Sequence, residues 1–292
     1  MSAKPCLGPR KSFAIPARKL PAGAIDTHFH VFGPVDRFPY AEHRKYTPPE
    51  SPYEAYIELA GRLGIDKAVC VHPNVHGPDN AVTLDAIERS NGRLLGIIKM
   101  NDQGTFSELA RMDALGVRGI RFAFNPEHGG ELDHELFLRA CDWAGELQWC
   151  IDLHMAPEDL PGLAENLSRL SVPVVIDHMA RIDPAGGIEQ APFKVLLQLM
   201  QMSHVWVKLS GADRITRSGP PYDDVVPFAR ALVDAAPDRV LWGSDWPHSG
   251  YFDASRMPDD AALVDASYAF VPDPILHRKL MVDNPARLFR IR

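Results

Sequence analysis

The 292-residue sequence predicts an α/β fold, a single-domain (β/α)8 TIM barrel with an N-terminal arm. Strand-like apolar runs alternate with helix-like segments along the whole chain, and the runs are continuously apolar instead of alternating with polar residues. Strands of that kind are buried on both faces, as parallel strands covered by helices are. The chain length also lies within the range that one such barrel occupies.

Eight apolar runs end in polar or glycine residues, where barrel strands reach the active-site rim. In chain order they are AIDTHFHVF, KAVCVHPN, LLGIIKM, VRGIRFAF, WCIDLHM, VPVVIDHM, VWVKLSG and VLWGSDWPH. The segments between them have helical periodicity, namely YEAYIELAGRLG, AVTLDAIERS, FSELARMDALG, ELFLRACDWAGEL, LPGLAENLSRL, FKVLLQLMQM and VPFARALVDAAP.

A doubly wound open sheet is the competing architecture, but no GxGxxG or Walker sequence follows the first strand. Eight consecutive units favour the closed barrel. We expect residues 1–22 to form the arm and residues 23–292 the barrel domain. Two long connections, residues 33–51 and 248–260, follow the first and last strands, and we interpret them as candidate lids.

The charge balance limits the partners of the chain. There are 31 basic and 38 acidic residues, a net charge of -7, which repels nucleic acid and anionic membranes at long range. A small anionic substrate would need local arginines. The four cysteines lack CxxC spacing and are interpreted as reduced, buried thiols. We expect neither a signal peptide nor a membrane span, and a cytoplasmic location.

His28 and His30 are two residues apart in the first strand, so both side chains point to the same face, here the barrel mouth. Two converging imidazoles can share a metal ion or can close the barrel as hydrogen-bonded polar residues. The pair alone does not separate these readings. However, His154, His178 and Asp245 end the fifth, sixth and eighth runs, and five such groups at one rim favour a catalytic site.

This set of residues resembles the amidohydrolase superfamily, whose barrels carry HxH on strand one, histidines on strands five and six, and aspartate on strand eight. The segments PAGAIDTHFHVFGP, HGPDNAVTLDAI, RGIRF, VVIDHM, SGPPYDD, WGSDWPH and NPARLFR are similar to the branch that contains 2-pyrone-4,6-dicarboxylate hydrolase and related lactonases. The similarity extends over nearly the whole chain.

The resemblance implies hydrolysis of a carboxylated lactone by attack of water on the ring ester. It implies that Asp245 is the general base and that His178 polarises the carbonyl or orients the water. His28, His30 and His154 would join Asp245 as ligands of a divalent metal ion, with zinc favoured. The pyrone-dicarboxylate hydrolases work without such an ion and carry tyrosine at the position of His154, so this histidine favours a metal here.

The resemblance also implies that Arg121, Arg214, Tyr46, Asn74 and His178 contact the substrate, with guanidinium groups binding its carboxylates. The sequence departs from the family pattern at two positions where the family's residues recognise the substrate. A serine of the family is replaced by Asn74, and an expected second arginine is replaced by the stretch Asn125, Pro126 and Glu127. A muconolactone, a sulfonated lactone or a sugar-acid lactone is therefore a candidate beside the pyrone dicarboxylate.

Several alternatives stay open at this point. His72, His76, Lys99 and Lys208 lie near strand ends and either contact substrate or serve as structural polar residues. A metal-dependent decarboxylase of an aromatic-degradation metabolite is the rival activity, and a non-catalytic barrel that binds small acids is the rival class. The sequence leaves the oligomeric state undetermined.

Overall fold

The computed structural model describes residues 3–12, 14–123 and 133–291, and eight parallel strands within them form one sheet. In chain order the strands are Ile25–Phe29 (β1), Lys67–Val71 (β2), Leu94–Ile98 (β3), Val117–Ala123 (β4), Cys150–His154 (β5), Val174–Ile176 (β6), Val205–Lys208 (β7) and Val240–Leu241 (β8). Each strand pairs with the next one along the chain. All eight predicted runs are strands, and the barrel prediction is confirmed.

Backbone hydrogen bonds between the first and last strand segments close the barrel. Thr27 N donates to Trp242 O at 3.0 Å, Asp245 N donates to His28 O at 2.8 Å, and His30 N donates to Trp246 O at 2.7 Å. The closure therefore also sets Asp245 next to His28 of β1 and to His30, which follows that strand.

Helices cover the outside of the barrel. They are Tyr53–Leu63 (α1), Ala81–Arg89 (α2), Phe106–Leu115 (α3), His134–Leu147 (α4), Leu160–Ser168 (α5), Ala191–Leu199 (α6), Ala212–Ile215 (α7), Val226–Ala235 (α8), Asp260–Phe270 (α9), Pro274–Arg278 (α10) and Asn284–Leu288 (α11). The seven predicted helical segments are all present, as α1–α6 and α8. Helix α9 was not predicted from the sequence, because it is buried on most of its faces and so lacks a clear polar stripe.

Part of the barrel interior is an apolar cluster. A buried cluster joins residues of six strands to Phe289, which follows α11, and it comprises Val69, Val71, Ile97, Cys150, Val175, Trp206, Leu241 and Phe289. The larger core lies between strands and helices. All four cysteines are buried and free, as interpreted from the sequence. Within the described ranges, the helices are too short or too polar to cross a membrane.

The N-terminal arm lies against the barrel rim. Lys4–Pro5 pairs in parallel with Tyr46–Thr47 of the first long loop. Further along, Ala17 N donates to Asp265 of α9 at 2.8 Å. The division of the chain into an arm of residues 1–22 and a barrel domain of residues 23–292 stays our proposal.

Candidate active site

A cavity of about 280 Å³ opens at the carboxyl ends of the strands, between the two long loops. Eight of the nine sequence-predicted site residues line it, namely His30, Tyr46, Asn74, Arg121, His154, His178, Arg214 and Asp245. The ninth, His28, is fully buried. The fold thus gathers side chains from β1, β4, β5 and the segments after β1, β2, β6, β7 and β8 at one place.

The carboxylate of Asp245 faces three imidazoles at the base of this cavity. Its Oδ1 lies 3.5 Å from Nε2 of His30 and 3.7 Å from Nε2 of His28. The distance to Nε2 of His178 is 4.0 Å. Spacings of this size occur between ligands of one zinc ion, whose bonds to nitrogen and oxygen are about 2.0–2.2 Å long.

The protonation of these imidazoles suits a metal ion. Nδ1 of His30 donates to the Val71 carbonyl at 2.7 Å, so in the neutral ring Nε2 is the nitrogen that can bind a metal ion beside Asp245. Burial lowers the pKa of His28 well below its usual value and that of His178 to about 4, so both rings are neutral at pH 7. Among the described residues, Nε2 of His28 is buried without a hydrogen-bond partner. The donor set therefore fits a divalent cation.

The imidazoles nearest to Asp245 differ from the predicted ligand set in one member. Ligand atoms of His28, His178 and Asp245 all lie within 4.8 Å of one another. His154, predicted as a ligand, ends β5 with its ring centroid 5.8 Å from that of His178. The set of His28, His30, His154 and Asp245 stays a prediction, and the geometry adds His178 as a competing ligand.

A left-handed turn after β6 directs His178 into the cavity. Four consecutive residues, from His178 to Arg181, have φ values of 51–55°. Non-glycine residues reach this region at a cost of about 1–2 kcal/mol each, and such strain concentrates at functional sites. Ser210 Oγ lies 2.8 Å from Nδ1 of His178. A Cβ on Gly211 would stand 2.9 Å from Cβ of His178, so a glycine is needed beside the ring.

Arg214, predicted to bind substrate, is engaged with the predicted base. Its Nε donates to Oδ2 of Asp245 at 2.5 Å, and its Nη1 donates to the Ser249 carbonyl at 3.2 Å. Burial alone would raise the pKa of Asp245, but Arg214 and the nearby imidazoles hold it well below the usual value. The carboxylate is therefore ionised and able to accept a proton.

Arg121 is also paired in this structure. Its Nη2 lies 3.1 Å from Oδ2 of Asp177. Lys208 is fully buried below it and contacts Asp152, Asp177 at 2.9 Å, and Nδ1 of His28 at 3.0 Å. Burial and the neighbouring Asp177 raise the pKa of Asp152 to about 7. Lys208 is thus a structural cation that holds two buried carboxylates beneath the histidines.

Arg181 lines the same cavity and was missed by the sequence analysis. Among the described residues, its guanidinium has neither an ion pair nor a hydrogen bond, and burial and the nearby Arg214 lower its pKa. Among the described residues, the cavity wall contains four cations, Lys45, Arg121, Arg181 and Arg214, and one carboxylate, that of Asp245. The site is therefore cationic in a protein of net charge -7.

The remaining predicted contacts lie in the upper wall. Tyr46 OH is 2.7 Å from Ser249 Oγ. Asn74 Oδ1 is buried and has no hydrogen-bond partner among the described residues, so it is available to a ligand. The departures at Asn125, Pro126 and Glu127 lie outside the described residues.

The sequence left open the roles of His72, His76 and Lys99, and the structure places the two histidines in loop contacts and the lysine outside the cavity. His72 lies 3.0 Å from Thr83 Oγ1 and 2.9 Å from the Gly77 carbonyl, and Nδ1 of His76 bonds the Pro39 carbonyl at 3.2 Å. His72 therefore joins the segment after β2 to α2, and His76 joins that segment to the first long loop. Lys99 lines a separate groove beside α3, and burial lowers its pKa to about 8.

Three buried aspartates were also missed, although the sequence carried a signal for them. Asp26, Asp152 and Asp177 each stand within two residues of a site histidine, inside an apolar strand run. A charge buried in such a run needs partners. Asp26 accepts from His28 N at 2.9 Å and from Ser244 N at 3.0 Å, and so joins β1 to the Asp245 segment.

Comparison with known proteins places this chain among lactone-acting enzymes. A family model described as amidohydrolase matches residues 25–291. A 4-sulfomuconolactone hydrolase of Rhizobium radiobacter is 58% identical over 288 residues, covering 98% of this chain and 96% of the relative. A 2-pyrone-4,6-dicarboxylate hydrolase of Comamonas testosteroni is 38% identical, covering 94% and 92%. A solved apo structure from Agrobacterium tumefaciens aligns with a TM-score of 0.83 at 26% identity, covering 95% and 99%.

Proposed function

This chain belongs to the amidohydrolase family and hydrolyses lactone esters, and we propose that its substrate is a lactone with an anionic substituent, of the sulfomuconolactone type. The relative of this name in Rhizobium radiobacter is 58% identical to the chain. The family resemblance stated from the sequence is confirmed.

The observation that carries the chemistry is the position of Asp245. One carboxylate oxygen faces the cavity among three imidazoles, and the other is held by Arg214. A water molecule beside Oδ1 would give its proton to this oxygen as its own oxygen attacks the lactone carbonyl carbon. The ring C–O bond then breaks, and the leaving oxygen takes up the proton from Asp245, which gives the open-chain acid and restores the carboxylate.

Two roles of His178 require opposite tautomers. To polarise the carbonyl, its Nε2 must carry the proton, and the Ser210 hydroxyl then donates to Nδ1. To bind a metal ion, Nε2 must offer a lone pair, and Nδ1 then donates to Ser210. A hydroxyl can donate or accept, so Ser210 supports either role.

We propose that the metal is zinc, held by His28, His30 and Asp245, with His154 or His178 in the fourth position. A bound divalent ion supplies Lewis acidity and lowers the pKa of bound water to about 7. Metal content decides the fourth ligand. We expect one of the two variants His154→Gln and His178→Gln to lose zinc, as measured by mass spectrometry of the purified protein, and the residue replaced in that variant is the fourth ligand. Activity of the wild-type protein with no bound ion would contradict the proposal.

The anionic substituent of the substrate follows from the cations of the wall. Arg121 and Arg214 already pair with Asp177 and Asp245, whereas Arg181 has no such partner in the described part of the chain. Arg181 is therefore the cation best placed to bind a sulfonate or carboxylate remote from the ester. A sulfonate accepts two parallel hydrogen bonds from a guanidinium much as a carboxylate does.

The experiment is a turnover assay with 4-sulfomuconolactone, 2-pyrone-4,6-dicarboxylate and an uncharged lactone. We expect the sulfonated lactone to have the highest kcat/KM, and Asp245→Asn to lower kcat by about 10²–10⁴-fold. Asp183→Asn is the control, since Asp183 pairs with Arg217 at the surface. Undiminished turnover by Asp245→Asn would remove it as the base. Release of carbon dioxide instead of ring opening would favour the decarboxylase. Binding of the lactone without turnover would favour the non-catalytic barrel.

A further inference from the structure

We propose that residues 3–8 of the N-terminal arm are a positioning element of the active site, a clasp that holds its two long loops together. The proposal concerns the site to which lactone hydrolysis is assigned, so it rests on the proposed function. The clasp itself consists mainly of hydrogen bonds, so its effect on the two loops can be measured whether or not the protein turns over a lactone.

The clasp bonds the first loop through its backbone. Lys4–Pro5 pairs with Tyr46–Thr47, and Cys6 N donates to the Thr47 carbonyl at 2.9 Å. The Thr47 hydroxyl donates to the Ala3 carbonyl at 3.1 Å. A Cβ on Gly8 would stand 2.9 Å from Cγ of Pro49, so the arm lies directly on this loop.

The next residue of the clasp bonds the second loop. Leu7 N donates to the Tyr251 carbonyl at 2.8 Å. The ammonium of Lys4 lies 4.5 Å from the ring centroid of Phe252, a distance typical of a cation–π contact. Within the described ranges, no backbone hydrogen bond joins residues 33–51 directly to residues 248–260. The arm supplies the backbone connection between them.

Both loops carry parts of the cavity wall. Tyr46 of the first loop and Ser249 of the second are 2.7 Å apart through their side-chain oxygens. The Ser249 carbonyl also accepts from Arg214, which holds Asp245. If the clasp is released, the spacing of Tyr46 and Ser249 is no longer constrained from outside, and the wall that receives substrate loosens.

The arm has further anchors beyond residue 8, at the far end of the second loop and on α9, which separates the bond from Leu7 from global stability. Arg10 donates to the Met257 carbonyl at 2.7 Å, Ala14 N donates to Asp259 at 3.1 Å, and Ala17 N donates to Asp265 at 2.8 Å. Loss of the single bond from Leu7 therefore leaves the rest of the arm attached.

The test uses proline substitutions in the full-length chain, because proline removes one backbone donor. Leu7→Pro removes the bond to the second loop. Leu7→Ala keeps the donor and controls for the side chain. Ala17→Pro is the matched control, since it removes an arm hydrogen bond that does not touch either loop.

We expect Leu7→Pro to raise KM about fivefold, the equivalent of about one hydrogen bond, with kcat changed less than about twofold and Leu7→Ala resembling wild type. Hydrogen–deuterium exchange of residues 44–50 and 247–253 should rise in Leu7→Pro and stay at the wild-type level in Ala17→Pro. Unchanged exchange in both loops overturns the clasp. Faster exchange in a protein without lactonase activity supports the clasp and contradicts the proposed function instead.

Discussion

Arg214 donates from Nε to Oδ2 of Asp245 across 2.5 Å, so the carboxylate presents only Oδ1 to the imidazoles of the cavity. This pair holds the pKa of Asp245 low against the effect of burial. The low pKa keeps Asp245 ionised, and removal of the Arg214 charge would raise the proton affinity of this carboxylate.

Replacing Arg214 should move the pH dependence of the reaction. In Arg214→Gln the buried carboxylate loses its cation, so the pKa of Asp245 rises and the acid limb of kcat/KM shifts to higher pH. At pH 7 we expect kcat/KM to fall about 10- to 100-fold, the value of a hydrogen bond to a charged group. Rate profiles from pH 4 to 9 measure both effects. Arg217→Gln is the control at the surface, and an unmoved acid limb would show that Arg214 does not lower the pKa of Asp245.

Arg181 should decide the preference for anionic substrates. Removing its charge in Arg181→Gln takes away a cation that lines the cavity without an acidic partner among the described residues. We expect KM for a sulfonated lactone to rise about 10- to 100-fold and KM for an uncharged lactone to stay within about twofold. Arg256→Gln is the control, because Arg256 is an exposed arginine of the second long loop. Equal increases for both lactones would exclude a role in recognising charge.

Gly211 should be needed for the position of His178. Gly211→Ala combines a positive φ of 70° with a Cβ 2.9 Å from the His178 side chain. Gly219→Ala carries the first penalty alone, since φ is 76° and nothing lies within 4 Å. We expect Gly219→Ala to lose about 1–2 kcal/mol of stability and Gly211→Ala to lose more, and only Gly211→Ala to lose more than about tenfold in kcat/KM. Urea unfolding and steady-state rates test this, and similar rates in the two variants would contradict it.

His72 should contribute to the acid sensitivity of the fold. Burial lowers its pKa from 6.5 to about 3, so its contribution to stability is present above pH 6.5 and is lost as the pH falls towards 3. Between pH 7 and pH 5 this amounts to about 2 kcal/mol, at about 1.4 kcal/mol per pH unit below 6.5.

The variant His72→Gln should therefore lose about 2 kcal/mol less than wild type between pH 7 and pH 5. Urea unfolding at the two pH values measures the difference. His43→Gln, at an exposed histidine of the first loop, should behave as wild type. An identical pH dependence in His72→Gln would show that the buried ring does not govern acid sensitivity.

The positions of the site residues followed from local patterns to a large extent. Strand periodicity located His28 and His30 on one face, and the polar residue that ends each apolar run located His154, His178 and Asp245 at one rim. The match of these motifs also identified the family. Asp26, Asp152 and Asp177 were overlooked, although an acidic residue inside an apolar run already indicates a buried partner.

Linear sequence was sufficient for the barrel, its strand order and the residue types at its rim, because each depends on side-chain period and on the end of a strand. Only the tertiary structure shows which cation pairs with each carboxylate. Arg214 pairs with Asp245 and Arg121 with Asp177, contacts that join residues 31 and 56 positions apart. Arg181 lies in a left-handed turn of four residues that brings it to the cavity, and the residue types in that turn do not predict such a conformation. Ion pairing and cavity orientation depend on where separate segments meet in space, and neither is encoded in a local pattern.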